Sequence, residues 1–127
     1  MSEERVQLNV GGVVHQTTRL TVSQYAPHML SAFLTNSDSD TTTYFLDRNG
    51  HTFWHVLDFL RSGHLPHDRE KLLALRVEAD FLCVIPMLHD IDARLRQMES
   101  DRAATDTARN SCVKMAGMLQ LILNRGV

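Results

Sequence analysis

The sequence predicts a small α+β domain followed by a helical C-terminal segment. Three features carry this prediction: an alternating strand pair at residues 5–18, a strand–turn–helix unit at residues 44–65, and helical patterns after residue 67. The 127 residues suit one domain with a modest core. A content of 43% hydrophobic and 22% charged residues is typical of a folded globular protein.

Residues 5–18 have the pattern of a β-hairpin. Gly11-Gly12 can adopt the positive φ angles that a two-residue hairpin turn requires, and residues 13–18 supply the return strand. A phosphate-binding loop is the alternative, but the stretch lacks the GxGxxG spacing and a following Lys-Ser/Thr. The apolar residues that alternate with polar ones in the first strand, and so predict one buried face, are Val6, Leu8 and Val10.

Residues 20–34 are expected to be helical on both sides of Pro27. Thr21 or Ser23 can begin a short turn that ends before Pro27, because the residue before a proline disfavours the helical conformation. The stretch 36–43 contains only Asn, Ser, Asp and Thr, which predicts a loop. The apolar residues that share one face after Pro27 are Met29, Leu30, Phe33 and Leu34.

Residues 44–65 are predicted to form a strand, a polar turn and an amphipathic helix. The bulky residues 44–46 suit a short strand. Asp47 or Asn49 can accept hydrogen bonds from the free N–H groups at the helix start, and Gly63 can adopt the left-handed conformation that ends a helix. The apolar residues at i, i+3, i+4 and i+7 are Phe53, Val56, Leu57 and Leu60.

A further helix is predicted over residues 67–82, with Asp68 or a neighbour as its cap. Pro86 is expected in the first turn of the next helix. The apolar side of the 67–82 helix is assigned to Leu72, Leu73, Leu75 and Val77.

The C-terminal third contains two apolar patterns. In the first pattern, apolar residues follow one another at intervals of 4, 3, 4 and 3 residues, as in a heptad seam on one face of a helix. This seam is expected to pack either on its own domain only or also on neighbouring copies. Its residues are Val84, Leu88, Ile91, Leu95 and Met98. Residues 100–110 carry no stripe and form either a linker or a solvated helix. A last helix presents a candidate partner face, which meets another subunit, a target peptide or its own domain; its residues are Met115, Met118, Leu119, Ile122 and Leu123.

Several motifs resemble the BTB/POZ domain in its potassium-channel-tetramerisation form, which occurs in voltage-gated potassium channels and in KCTD proteins. They are LNVGG at 8–12 with Thr17 and Thr21-Val22, YFLDRNG at 44–50, VLDFLRSGHL at 56–65, and EADF at 78–81 with Leu75, Val84 and Leu88. The resemblance covers about residues 6–88. It implies a small sheet with an N-terminal hairpin covered by a cluster of helices. We expect this domain at residues 1–100 and a helical extension at 101–127. His15 departs from the family, which usually has an aromatic residue there, and we expect a partly buried ring.

The resemblance implies a non-catalytic domain that binds copies of itself in a closed ring. Such rings are tetramers in the channels and often pentamers in KCTD proteins. The resemblance assigns polar subunit contacts to Asp47, Arg48 and Arg61. The alternative is that Asp47 and Arg48 only stabilise the turn and that Arg61 lies on a solvated helix end. The core is assigned to Val6, Leu8, Val10, Phe45, Phe53, Leu57, Leu60 and Phe81.

Three functions remain open for such a domain. It acts as a homo-oligomeric scaffold, as a substrate adaptor of a cullin-RING ubiquitin ligase, or as a cytoplasmic tetramerisation domain that regulates a potassium channel. The acidic, polar N-terminus shows no secretory signal, so we expect a cytoplasmic protein and leave the nucleus open. No apolar run approaches the ~18 residues that a membrane-spanning helix needs. A net charge of −2 argues against a general nucleic-acid binder.

The sequence offers little for an enzyme or a metal site. His51 and His55 are four residues apart, but no HExxH pattern is present, so a solvated histidine pair is the better interpretation. Some channel members of the family bind zinc through a histidine and two adjacent cysteines. Here Cys83 and Cys112 lie far apart, and Cys83 is expected to be a small core residue. We therefore predict no catalytic residue, no cofactor and no metal.

Overall fold

The computed structural model describes residues 4–36 and 43–125, with side-chain surroundings for 4–35 and 43–109. Its elements are β1 (Arg5–Val10), β2 (Val13–Thr18), α1 (Arg19–Val22), α2 (Met29–Asn36), β3 (Thr43–Leu46), α3 (Phe53–Ser62), α4 (Arg69–Leu82) and α5 (Ile85–Arg125). The α+β prediction is therefore confirmed.

The three strands form one sheet in the order β2-β1-β3. β1 and β2 pair in antiparallel fashion, while β1 and β3 run parallel. Gly11 and Gly12 have φ angles of +58° and +94°, as a two-residue hairpin turn requires, and Asn9 Oδ1 accepts a 2.9 Å hydrogen bond from the Gly12 N–H. The hairpin prediction is confirmed.

The hairpin turn packs directly on the segment that follows β3. The Gly11 N–H donates a 2.8 Å hydrogen bond to the carbonyl oxygen of Leu46. A Cβ at Gly11 would overlap the carbonyl oxygen of Arg48, and a Cβ at Gly50 would overlap the carbonyl oxygen of Val10. These two glycines let the backbone segments approach more closely than any other residue would allow.

The hydrophobic core is formed by the inner face of the sheet, one face each of α3 and α4, and the start of α5. The predicted core residues that are buried are Val6, Leu8, Val10, Phe53, Leu57 and Leu60. Further buried apolar residues include Leu46, Val56, Phe59, Leu72, Leu75, Ala79, Leu82, Met87 and Ile91. The apolar stripe predicted on α3 is therefore confirmed.

The core assignment of Phe45 and Phe81 is wrong. Phe45 is 65% exposed, because the alternation of side chains along β3 turns Leu46 inward and Phe45 outward. Phe81 is 40% exposed, because α4 buries the face that carries Leu72, Leu75, Ala79 and Leu82. Leu73 and Val77, predicted on the apolar side of α4, also lie off this face and are exposed.

The ends of α3 and α4 follow the local rules. Asn49 Oδ1 accepts hydrogen bonds from the N–H groups of His51 and Thr52, and Gly63 ends α3 with a φ of +75°. The Asp68 side chain caps α4 by accepting from the Glu70 N–H. Cys83 ends α4 in the left-handed conformation and is exposed, so its assignment to the core is wrong.

The first helical turn begins earlier than predicted. Thr18 caps α1 by accepting a hydrogen bond from the N–H of Thr21, and Ser23 follows the last helical residue. Leu30 is buried on α2, whereas Met29 and Phe33 are partly exposed. Most of the predicted 36–43 loop lies outside the described residues, but Thr43 already belongs to β3.

Pro86 lies in the first turn of α5, as predicted. The chain divides into two compact units, Met1–Ala93 and Arg94–Val127. Residues 100–109 are helical and exposed, which favours the solvated helix over the linker. The partner face predicted at Met115, Met118, Leu119, Ile122 and Leu123 lies outside the residues whose side chains are described. In the described part of the chain, no helix is long and apolar enough to cross a bilayer.

Candidate interaction surfaces

The turn after β3 is tied to α4 through Arg48. Its Nε and Nη2 groups donate to the two carboxylate oxygens of Glu78 at 3.0 and 3.2 Å. Its guanidinium carbon also lies 4.0 Å from the ring centroid of Phe81. A forked arginine–carboxylate pair is strong and directional, and a guanidinium over an aromatic face adds a further attraction. Arg48 therefore holds the turn against α4.

Glu78 makes this pair important for the fold. The residue is only 6% exposed, so water does little to solvate its carboxylate. The Arg48 side chain, at 26% exposure, is the cation that compensates this buried charge. The geometry thus gives Arg48 the turn-stabilising role of the sequence alternative, and a contact between Arg48 and a second copy stays a prediction.

Asp47 is placed differently from its neighbour. It is exposed, and it makes no ion pair with any described side chain. Phe45, two residues earlier on β3, is exposed as well. The end of β3 thus presents an exposed aromatic ring, a residue type enriched at protein–protein contacts, beside an exposed carboxylate.

Arg61 lies at the other edge of the sheet. Its Nη2 donates a 3.2 Å hydrogen bond to the backbone carbonyl of Gln16 on β2, and its Nη1 lies 4.0 Å from Asp58 Oδ1. Because the strand order is β2-β1-β3, Arg61 and Asp47 are positioned at opposite edges of the sheet. The structure thus brings Asp47 and Arg48 together and sets Arg61 apart.

An open pocket of about 330 Å³ lies beside Arg61, and we call it the β2-edge pocket. All of its lining residues are polar or charged: Arg5, Gln16, Thr17, Thr18, Thr21 and Arg61. Thr17 is 7% exposed, and its hydroxyl has no hydrogen-bond partner among the described residues. The sequence singled out Thr17 only as a motif residue and did not predict the pocket.

His15 takes the aromatic position of the hairpin. It is fully buried, with its ring centroid 5.1 Å from that of Phe53 and 4.5 Å from that of Trp54. Nε2 donates to the carbonyl oxygen of Gly50 at 2.8 Å, because a carbonyl can only accept. Burial lowers the pKa of His15 more than this hydrogen bond raises it, and the charge of Arg61 lowers it further. The ring is therefore more deeply buried than predicted, and it is neutral.

α4 carries an exposed row of apolar side chains that we call the α4 apolar stripe. Its members are Leu73, Val77 and Phe81, spaced four residues apart on one helical face. Val77 is 58% exposed. Contiguous exposed apolar residues often mark a surface that another molecule covers.

Within residues 4–35 and 43–109, the histidines and Cys83 form no metal-binding group. Among the residues that the structure describes, no three His, Cys, Asp or Glu side chains are arranged to hold an ion. His51 and His55 instead line a shallow pocket together with Lys71, whose ammonium group would repel a cation.

Comparison with known proteins gives a consistent result. Residues 6–91 match the family model described as "BTB/POZ domain". The chain is 33% identical over 116 residues to the Mus musculus "BTB/POZ domain-containing protein KCTD21", an alignment that covers 86% of the chain and 44% of the relative. It is 33% identical over 112 residues to the Homo sapiens protein of that name, covering 83% and 42%. The chain thus spans less than half the length of these relatives.

Proposed function

Because this chain belongs to the BTB/POZ domain family and is KCTD-like, we propose that it assembles into a closed ring of four or five copies and acts as a non-catalytic scaffold. BTB domains generally self-associate, and the family is generally non-catalytic. One structural observation supports the ring in particular: the candidate contacts Asp47 and Arg61 lie at opposite edges of one sheet.

A ring needs two different surfaces on each copy, because its contacts are heterologous and close by rotation. The end of β3 offers the exposed carboxylate of Asp47 beside Phe45. Arg61, which donates to a β2 carbonyl, offers its guanidinium group at the β2 edge, and Arg5 at the start of β1 lines the same pocket. The opposite charges of these edges favour a head-to-tail contact between neighbouring copies.

The mass in solution tests this proposal. Light scattering on a sizing column, over a range of concentrations, is expected to give 57.6 kDa for a tetramer (4 × 14.4) or 72.0 kDa for a pentamer (5 × 14.4). Asp47→Asn and Arg61→Gln are expected to lower the mass at a given concentration, whereas the control Arg69→Gln, at an exposed position on α4, leaves it unchanged. A concentration-independent mass of 14.4 kDa would contradict ring assembly.

A second candidate function is that of a substrate adaptor for a cullin-RING ubiquitin ligase. The α4 apolar stripe favours it, because this exposed apolar surface includes neither Asp47 nor Arg61, the residues assigned to the ring. A pull-down with the purified N-terminal region of a cullin is expected to recover the natural chain but not the Val77→Asp variant. Leu20→Asp is the matched control, since Leu20 is also 58% exposed but lies on α1. Recovery of no chain would refute this candidate.

The domain limits are part of the proposal. We assign residues 1–100 to the BTB/POZ domain and 101–127 to an extension that contacts a partner. The apolar pattern of the last helix supports this assignment. Replacing Leu119 and Ile122 by lysine is expected to leave the unfolding midpoint of the domain unchanged and to reduce partner binding. A large drop in the midpoint would instead show that this face packs on the domain.

A further inference from the structure

We propose that the α5 helices of neighbouring copies join in a parallel, in-register helix bundle through one face of residues 112–123. The proposal rests on the proposed ring, which brings identical helices together by rotation, and it adds a second contact between copies to the one at the sheet edges. The occupant of this face is thus another copy of the chain, rather than a target peptide or the chain's own domain.

The length of α5 points to a partner. It is a single helix of 41 residues, Ile85–Arg125. Helices in globular domains average about 11–12 residues, and one much longer than 25 is typical of a coiled coil or bundle. The described side chains from 99 to 109 are all exposed. Because a long helix draws most of its stability from packing, we expect a stabilising contact further along α5.

One heptad register runs through the helical part of the second compact unit. From Leu95 the a and d positions follow at alternating intervals of three and four residues up to Leu123. Leu95 and Met98 are half-buried, and the next three of these positions are exposed and polar. Between 112 and 123, every a, d and g position is apolar. By register these are Cys112, Met115, Ala116, Leu119, Ile122 and Leu123.

The width of this apolar face favours more than two helices. A two-stranded coiled coil buries mainly a and d positions, whereas a helix in a larger bundle buries a third position of each heptad as well. Here the third position is g, which Met115 and Ile122 occupy. In a ring of four or five copies each helix has a neighbour on both sides, so the g positions are covered together with a and d.

The charges beside the register favour parallel helices. Antiparallel helices set e positions against e positions, and the acids Glu99 and Asp106 occupy successive e positions. In a parallel arrangement, a g position faces the e position of the next heptad on the neighbouring helix, which sets Arg94 against Glu99. Asp101 also faces Asp106, but Arg102 at the adjacent a position offsets this repulsion. Rotation about a ring axis likewise relates identical helices in a parallel, in-register manner.

The polar a positions provide a first test. A polar residue at an a position fixes the register of helices at a cost in stability. Arg102→Leu is therefore expected to lower, about tenfold, the concentration at which the oligomer dissociates in light scattering. Arg96→Leu removes an equal charge from an exposed b position of the same helix and should leave this concentration unchanged. Equal effects of the two substitutions would refute the register.

Oxidative cross-linking of Cys112 tests the contact itself. In the full chain carrying Cys83→Ser, copper–phenanthroline is expected to join Cys112 of neighbouring copies, because a parallel, in-register bundle sets equal d positions side by side. The product is a covalent dimer of 28.8 kDa (2 × 14.4) on a non-reducing gel. Moving the cysteine to an outer f position, by Cys112→Ser with Lys114→Cys, should remove most of this product. Leu119→Lys should also remove most of it, while the fluorescence of Trp54 shows that the domain stays folded.

The mass in solution separates this bundle from the ring. A tetramer or pentamer in which Cys112 cross-links no better than Lys114→Cys would refute the bundle and leave the ring. An oligomer that cross-links through Cys112, and whose mass Asp47→Asn and Arg61→Gln do not lower, would support the bundle and refute the charged sheet edges as the ring contact. A mass of 14.4 kDa at every concentration would refute both.

Discussion

Replacing Arg48 by methionine is expected to destabilise the domain by about 3 kcal/mol, near the low end of the ~3–5 kcal/mol measured when a buried ion pair loses one partner. The carboxylate of Glu78 would lose both donors, at 3.0 and 3.2 Å, while remaining 6% exposed. The value lies near the low end because Arg48 is 26% exposed and is partly solvated. Methionine still packs against Phe81 but lacks the charge over its ring.

The matched variant removes both partners. Arg48→Met combined with Glu78→Leu is expected to recover most of the lost stability, because a buried ion pair can often be exchanged for apolar residues with little loss. Urea unfolding at fixed protein concentration, followed by the fluorescence of Trp54, the single tryptophan, measures both variants. The reasoning is refuted if Arg48→Met loses less than about 1 kcal/mol, the typical value of an exposed pair. It is also refuted if the double variant is no more stable than Arg48→Met.

Two further predictions follow from the same unit. Gly50→Ala is expected to lower the free energy of unfolding in urea by about 3 kcal/mol or more, because the new Cβ would overlap the Val10 carbonyl oxygen. The control Gly12→Ala places its Cβ in open space and should lose less stability. Equal losses in the two variants would contradict the overlap. The folded pKa of His15 is lowered below 6.5 by burial, so the stability due to its neutral ring is present above pH 6.5 and is lost as the pH falls through the folded pKa. His15→Phe should reduce the change in unfolding midpoint between pH 7 and pH 5. The part of this change that comes from His28, whose pKa is also lowered by burial, should remain. Parallel pH profiles of the midpoint for the natural chain and His15→Phe would refute this prediction.

Much of the fold could be predicted because neighbouring residues determine it. The Gly11-Gly12 turn, the Asn49 turn that precedes α3 and the end of α3 at Gly63 depend on backbone angles and short-range hydrogen bonds. The family resemblance rests on these same segments, which is why it could be stated from the sequence and is confirmed by the match over residues 6–91. Asp47 and Arg61 as subunit contacts stay predictions.

The errors concern side chains whose surroundings come from distant parts of the chain. Phe45 and Phe81 are aromatic and were assigned to the core, yet both are exposed. Cys83 lies in an apolar stretch, but its left-handed backbone ends α4 and turns it outward. Hydrophobicity indicates that some aromatic residues will be buried, whereas the packing of elements decides which ones.

The sequence by itself determined the hairpin, the end of α3, the start of α4 and the family, because each depends on local conformational preference or on a contiguous motif. Only the tertiary structure decided that Arg48 pairs with Glu78, 30 residues away, and that Arg61 meets Gln16, 45 residues away. It alone placed Arg5, Thr17 and Arg61 around one pocket. The physical reason is that hydrogen bonds and charges act across space, so their partners are set by which surfaces the folded core brings together.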